Sequence, residues 1–261
     1  MRTDRNSKTI TVVGAGLAGS ECAWQLAERG HKVVLIEQRQ KVAGQQAPIN
    51  PDAPDIQNNT PAHRTDKFAE LVCSNSFGSQ TDYSAPGQLK WEAERLGSLI
   101  LKAAKESAVP AGMALGVDRE VFSNAVTTAL LNHPNIEVRN EVVKDLAQIP
   151  RPAVIATGPL TDPDLAKSIY DHMRDEQDAV FSDDQINAAG KNAFLYFFAA
   201  IAPIVDADTI NMDICFKADR FGAGNGDYIN CPMEKEQYFA FIEAIENART
   251  VEPKEFEKNT P

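Results

Sequence analysis

Two groups of residues in this chain have the types and spacing to do chemistry. Gly14-Ala15-Gly16-Leu17-Ala18-Gly19 is a glycine-spaced turn lying between an apolar run and an amphipathic segment. Gly14 permits the tight reversal, Gly16 lets the backbone approach a pyrophosphate, and Gly19 lets a helix pack closely on the preceding strand. Phosphates would then meet free N–H groups at a helix N-terminus. Glu37 closes the next apolar run, where a carboxylate accepts a hydrogen bond from a ribose 2′-OH and argues against a 2′-phosphate, favouring FAD or NAD over NADP. The glycine spacing alone also fits an ordinary strand-to-helix turn, and the context on both sides decides for a dinucleotide. The second group is a pair of thiols. Cys73 stands in Cys73-Ser-Asn-Ser76 among small polar groups able to stabilise a thiolate, and Cys231 stands before a proline in Tyr228-Ile-Asn-Cys-Pro-Met233, at a strand end where a cysteine is most often simply buried.

The surrounding pattern supplies elements to position these residues. Ile10 to Glu37 reads as strand, glycine turn, amphipathic helix and second strand. Gln38 to Arg64 has no apolar period and reads as a long surface loop, with an insertion at 40–59. Lys67 to Val72 predicts a short helix, Gln88 to Lys105 one longer helix, and Asp118 to Asn132 another, capped by Asp118 and ended before His133-Pro134. Ile136 to Val143 and Ala153 to Thr157 read as strands. The latter delivers Gly158 at its carboxyl end, where open α/β sheets hold ligands. A helix over Asp164 to Arg174, strands near Phe194 to Phe198, Ile214 to Lys217 and Asp227 to Asn230, and a closing helix over Glu234 to Asn247 follow. The fold class expected is α/β. Residues 1–158 form the N-terminal part of a Rossmann-like FAD-binding domain, and 159–261 form a smaller α+β insertion domain.

Composition narrows the function classes. The 261 residues are 43% hydrophobic and 24% charged, an ordinary globular balance. A net charge of −11 disfavours general nucleic-acid binding, so a specific RNA enzyme must gather its Lys and Arg on one face. No apolar run approaches the roughly 20 residues of a membrane span, and the polar start is unlike a signal peptide, which predicts a cytoplasmic protein without a membrane partner. Cys22, Cys73, Cys215 and Cys231 lack CxxC spacing, predicting neither a metal site nor a disulfide framework and leaving each free to react.

Several strings together resemble the folate- and flavin-dependent tRNA (uracil-5-)-methyltransferase family. They are VVGAGLAGSECAWQLAERG, TPAHRTDKFAELVCSNS, SLILKAAKESAVPAGMALGVDREVFS, VIATGPLT, APIV and DYINCPM. A generic flavoprotein would share only the first and fourth. The resemblance implies an enzyme that holds FAD and takes a one-carbon unit from 5,10-methylenetetrahydrofolate. That unit passes through flavin N5 to C5 of a T-loop uridine in tRNA, with NAD(P)H regenerating the reduced flavin. Cys73 and Cys231 match the two functional cysteines, one adding to uracil C6 and the other serving as acid/base or protecting the flavin adduct. Which does which stays open, with a slight preference for Cys73 as nucleophile. His63, Arg64 and Lys67 are close enough to Cys73 to contact phosphate or folate carboxylates, or else begin an exposed helix. Asp118-Arg119-Glu120 secures the flavin or an RNA backbone, or, in the favoured reading, caps a helix.

The family is longer than this chain, so the resemblance also implies that the C-terminal part of the FAD domain is absent. That predicts weak FAD retention and, as partners, either the missing segment or a second copy. Competing functions are a related rRNA uracil-C5 methyltransferase, a small-molecule flavin or NAD oxidoreductase that leaves both cysteine motifs unexplained, and a nucleotide-binding fragment without turnover.

Overall fold

The computed structural model describes residues 8–39, 63–180, 205, 207–219 and 226–249. The 40–59 insertion and the strand expected near Phe194 to Phe198 lie outside them. The chain divides into two compact units, the first comprising Met1–Val109 with Ala114–Ala202 and the second Pro110–Met113 with Pro203–Pro261.

The first unit is built on the predicted βαβ. Strand β1 (Thr9–Val13) leads through the glycine turn into helix α1 (Leu17–Glu28) and back to strand β2 (Lys32–Glu37). Strands β1 and β2 pair in parallel from Thr9↔Lys32 to Val13↔Ile36. Side chains alternate across the sheet, as a period of two requires. Val12, Val33 and Leu35 enter one core with Ala23 and Ala27 of α1, while Val13 and Ile36 enter a second core with Val143, Ile149 and Leu165. A parallel sheet covered on both faces explains why these strands are nearly continuous apolar runs.

Strand β3 (Ser76–Ser79) follows, then helices α2 (Ala85–Arg95) and α3 (Leu99–Glu106), where one longer helix over Gln88 to Lys105 was expected. Gly97 breaks the run with φ of 73°, a conformation that ends helices, and Ser98 starts the next by accepting from Leu101 N at 3.1 Å. The predicted helix at Lys67 to Val72 is also absent. Those residues form turns and bends, with Ala69 at φ of 53°, and the Ala69 N–H donates to Ala15 O at 2.8 Å rather than to a helical partner.

Strands β4 (Ala108–Val109) and β5 (Ala114–Val117) complete a three-stranded antiparallel sheet of order β3-β5-β4. Helix α4 (Arg119–Leu131) buries Phe122, Val126 and Leu130 at every fourth position in the first core, and Asp118 caps it by accepting from Glu120 N and Val121 N, each at 2.9 Å. The favoured capping reading of Asp118 therefore stands. Strand β6 (Ile136–Asn140) stops short of the expected Val143 because its partner β2 ends at Glu37, opposite Asn140. Strand β7 (Ala153–Ile155) completes a parallel sheet of order β6-β2-β1-β7. Helix α5 (Pro163–Val180) outruns the expected Arg174 end and places Leu165 in the second core. It is part of the first unit, although it follows residue 158.

In the second unit, β8 (Phe216–Ala218) and β9 (Tyr228–Asn230) form an antiparallel pair, and helix α6 (Lys235–Glu246) has a capping box between Glu234 and Gln237. Asp227 accepts from Gly112 N at 2.6 Å and the Tyr228 hydroxyl donates to Ala111 O at 2.8 Å, tying the short 110–113 excursion to this pair. No helix among the described residues is long and apolar enough to cross a membrane.

A Cβ placed on Gly19 would lie 1.8 Å from the carbonyl oxygen of Gly14, a backbone atom that cannot move aside cheaply. Gly19→Ala is expected to lower stability by about 1–3 kcal/mol or more through overpacking. Denaturant unfolding checks this, and an unchanged midpoint would contradict the close helix–strand approach.

Candidate functional site

A cavity of about 240 Å³ opens at the carboxyl ends of β1, β2 and β7 in the first unit. Gly14, Gly16 and Leu17 line it from the turn, Glu37 and Arg39 from the end of β2, His63, Glu70 and Val72 from the irregular segment, and Thr157 and Pro159 from the end of β7. Crevices at this end of an open parallel sheet are where dinucleotides bind in such folds.

Gly14 and Gly19 stand in the tight turn and the close helix contact that their spacing suggests. Gly14 has φ of 98°, and a Cβ there would stand 2.6 Å from Ala156 O. Gly19 brings α1 onto the turn. Gly16 differs, because no heavy atom lies within 4 Å of where its Cβ would be. It lines the cavity and is the N-cap of α1, with no side chain supplying the capping hydrogen bond. An open glycine at an uncapped helix start is a cradle for an anionic group. Ala15 is buried, its N–H directed at Glu37 and its carbonyl accepting from the Ser20 hydroxyl at 3.0 Å. Leu17 and Ala18 are the first residues of α1.

Glu37 is only 5% exposed, and its carboxylate holds the site together. Oε2 accepts from Ala15 N at 2.8 Å, and Oε1 accepts from both Arg39 N and Arg39 Nε at 3.0 Å. A carboxylate has about four acceptor positions, and the described residues fill three of them, leaving roughly one on Oε2 that a ligand hydroxyl could use. Burial alone would raise the Glu37 pKa, but the hydrogen bonds and charge of Arg39 outweigh it and hold the carboxyl below its ordinary range.

Arg39 was not among the residues the sequence singled out. It is 3% exposed, its Nη1 lies 3.5 Å from Glu70 Oε2, and that nitrogen makes no hydrogen bond. Glu70 in turn accepts from Arg64 N at 2.9 Å, Thr65 N at 3.1 Å and the Thr65 hydroxyl at 2.8 Å. The available signal was position, since two residues beyond Glu37 on an extended chain return to the same side. His63 lines the cavity, and burial followed by the Arg39 charge pushes its pKa down. Lys67 donates its backbone N–H to the Thr65 hydroxyl at 3.3 Å, so neither His63, Arg64 nor Lys67 begins a helix.

At the far wall, Thr157 and Thr161 share a 2.6 Å hydroxyl hydrogen bond, and Thr161 donates to Gly158 O at 2.7 Å. Gly158 has φ of 67° and forms the bend between lining residues Thr157 and Pro159. Cys73 is half-buried in the first unit next to the lining residue Val72, and its carbonyl accepts from Arg119 at 3.3 Å. Arg119 thus anchors the thiol's own backbone. Cys231 belongs to the second unit, exposed, with its Sγ 3.4 Å from that of Cys215. The structure therefore brings Gly14, Gly16, Leu17 and Glu37 to one cavity and places the two predicted cysteines in separate units. Among the described residues no cluster of three or more His, Cys, Asp or Glu side chains could hold a metal ion.

A family model described as GIDA, Glucose inhibited division protein A, matches residues 9–261. The chain belongs to the GIDA family. Among curated relatives it is 59% identical over 251 residues to the methylenetetrahydrofolate--tRNA-(uracil-5-)-methyltransferase TrmFO of Bdellovibrio bacteriovorus, covering 96% of this chain and 50% of that protein. The protein of the same name in Bacillus subtilis is 44% identical over 253 residues, covering 97% of this chain and 50% of its own length. The chain thus spans about half the length of the curated relatives it matches. The solved GidA-related protein from Thermus thermophilus aligns at a TM-score of 0.35 and 15% identity, covering 64% of this chain and 69% of that one.

Removing the buried acid tests the network. Glu37→Ala leaves the enclosed Arg39 guanidinium only its longer 3.5 Å pairing with Glu70 and is expected to cost about 2–4 kcal/mol in unfolding free energy. Because the folded carboxyl titrates below its ordinary value, its contribution is present at neutral pH and lost as pH falls through the folded-state pKa. Wild-type stability should therefore fall more steeply in acid than that of Glu37→Gln, as read from urea midpoints at several pH values. Parallel curves would overturn the assignment.

Proposed function

We propose that this chain carries the FAD-binding turn and the reactive thiols of a folate- and FAD-dependent tRNA uracil-C5 methyltransferase, with 5,10-methylenetetrahydrofolate as carbon donor and NAD(P)H as reductant. The first unit is read as dinucleotide-holding, the second as the smaller insertion domain, and the protein as cytoplasmic. The observation that carries the reading is the 59% identity to a protein of that name over 96% of the chain, far beyond the few residues that any dinucleotide turn shares. The open face of Gly16, the uncapped start of α1 and the unsatisfied Nη1 of Arg39 fit such a cofactor.

Bound FAD would supply the reducing equivalents that complete the methyl group. The rest of the chemistry falls to side chains. The N–H groups at the start of α1 would hold a pyrophosphate, and the remaining acceptor position of Glu37 Oε2 a ribose hydroxyl. Uracil C5 is a poor nucleophile until a thiolate adds at C6 and turns the ring into an enolate. In place of the slight sequence preference for Cys73, we read Cys231 as the thiol that adds, on the support of its exposure and of the hydrogen bond it accepts from the Cys215 thiol. Cys73, on a backbone fixed by Arg119, would then serve as acid/base or protect the cofactor.

The test combines the chain with FAD, methylenetetrahydrofolate, NAD(P)H and unmodified tRNA and measures 5-methyluridine. Cys73→Ala and Cys231→Ala should each lower the rate by on the order of 100-fold or more. Product indifferent to both substitutions would overturn the thiol mechanism, and NAD(P)H consumption without methyluridine would favour a small-molecule oxidoreductase. Gly16→Ser, whose Cβ meets open space and whose side chain suits an N-cap, should weaken FAD binding in a flavin-fluorescence titration while keeping the unfolding midpoint of the parent chain.

A further inference from the structure

The register of the β8–β9 pair sets Phe216 opposite Asn230, Lys217 opposite Ile229 and Ala218 opposite Tyr228. Continued by one position, it sets Cys215 opposite Cys231, and their sulfur atoms lie 3.4 Å apart. Opposed residues in an antiparallel pair have Cα atoms about 4.5–5.5 Å apart, inside the roughly 4.4–6.8 Å that a disulfide bridges. The hairpin is fastened at its other end, where the Asp219 carboxylate accepts from Gly226 N at 2.6 Å and from Asp227 N at 2.8 Å. Cys231 is exposed and Cys215 half-buried, so a small reagent reaches the pair.

We propose that Cys215 and Cys231 form a dithiol site that low-molecular-weight disulfides oxidise to an intramolecular disulfide. The site stands on the hairpin and is independent of the methyl-transfer reading, although it would withdraw Cys231 from that reaction. Cys231 is the entry point. The Cys215 thiol donates its hydrogen bond to the Cys231 sulfur, which with burial holds the Cys215 proton above the ordinary thiol range. Cys231 is the exposed sulfur of the pair and the one an incoming reagent meets first. Its thiolate attacks one sulfur of the small disulfide, whose S–S bond breaks and releases one thiolate. Cys215 then gives its proton to solvent and attacks the Cys231 sulfur, displacing the second small thiol. Two protein thiols are oxidised and one small disulfide is reduced to two thiols. Cys22 is a poor competitor, since burial raises its pKa in the first unit.

The experiment incubates the reduced chain with oxidised glutathione, blocks free thiols and maps the unreduced peptides. Trypsin cuts after Lys217 and Arg220, between the two cysteines, so a disulfide appears as one linked peptide pair. The expected result is a fall from four free thiols to two, with Cys215 linked to Cys231. Cys215→Ser should stop at a glutathione adduct on Cys231, and unchanged circular dichroism would show that the variant still folds. A linkage through Cys22 or Cys73, a stable glutathione adduct on the wild-type Cys231, or four unreacted thiols would each overturn the proposal.

Discussion

A charged carboxylate enclosed by protein is unstable unless donors surround it, and the ligand-facing end of the first unit is arranged around meeting that need for Glu37. Its three hydrogen bonds reach the glycine turn through Ala15 and the chain beyond β2 through Arg39. Arg39 carries the connection to Glu70, and Glu70 gathers Arg64 and Thr65. A single buried acid therefore fixes the shape of a turn, a strand end and an irregular segment at once. The apolar cores beneath supply the platform, but the cavity wall is set by these polar contacts.

The βαβ unit was legible because its signals agree with one another. Apolar runs, glycine spacing and a terminal acid all demand the same geometry, and so β1, α1 and β2 fall where the pattern places them. The misread elements are those where a single backbone position overrides a plausible period. Apolar residues continue at helical spacing across Gly97, but its left-handed conformation turns the chain and separates α2 from α3. Likewise Lys67 to Val72 has helical composition, but the Ala69 N–H is taken by Ala15 O and the Glu70 side chain by the preceding loop. The first conflict is decided by one backbone conformation and the second by a partner far away in sequence, neither of which apolar periodicity encodes.

The thiols show the same division between type and placement. Residue type left all four cysteines free to react, and the strings around Cys73 and Cys231 supplied the resemblance that singled those two out. Nothing local marked Cys215, which follows Ile214 in an unremarkable run. It acquires meaning only through strand register, because an antiparallel pair places residues opposite one another when their numbers have a constant sum. Similarly, Arg119 was read with Asp118 as part of a helix start, yet its guanidinium reaches back to the Cys73 carbonyl across 46 residues of sequence.

The same buried acid also bears on which nucleotide the cavity would accept under the proposed reading. Glu37 remains ionised because Arg39 holds its pKa down, and Glu70, Glu141 and Asp162 add further carboxylates to the walls. Two like charges about 4 Å apart repel by about 4 kcal/mol at the effective dielectric near a protein surface. A phosphate on the ribose 2′ oxygen would bring such charge against Glu37, whose one remaining acceptor position offers no donor to receive it. A free hydroxyl in that place instead donates a hydrogen bond to Oε2. Arg39 offsets part of this repulsion through its Nη1, which makes no hydrogen bond to the described residues, but its Nε and backbone N–H are committed to the carboxylate and its charge is shared between Glu37 and Glu70. On the proposed dinucleotide reading, a preference for an unphosphorylated ribose would thus follow from the contacts that shape the cavity.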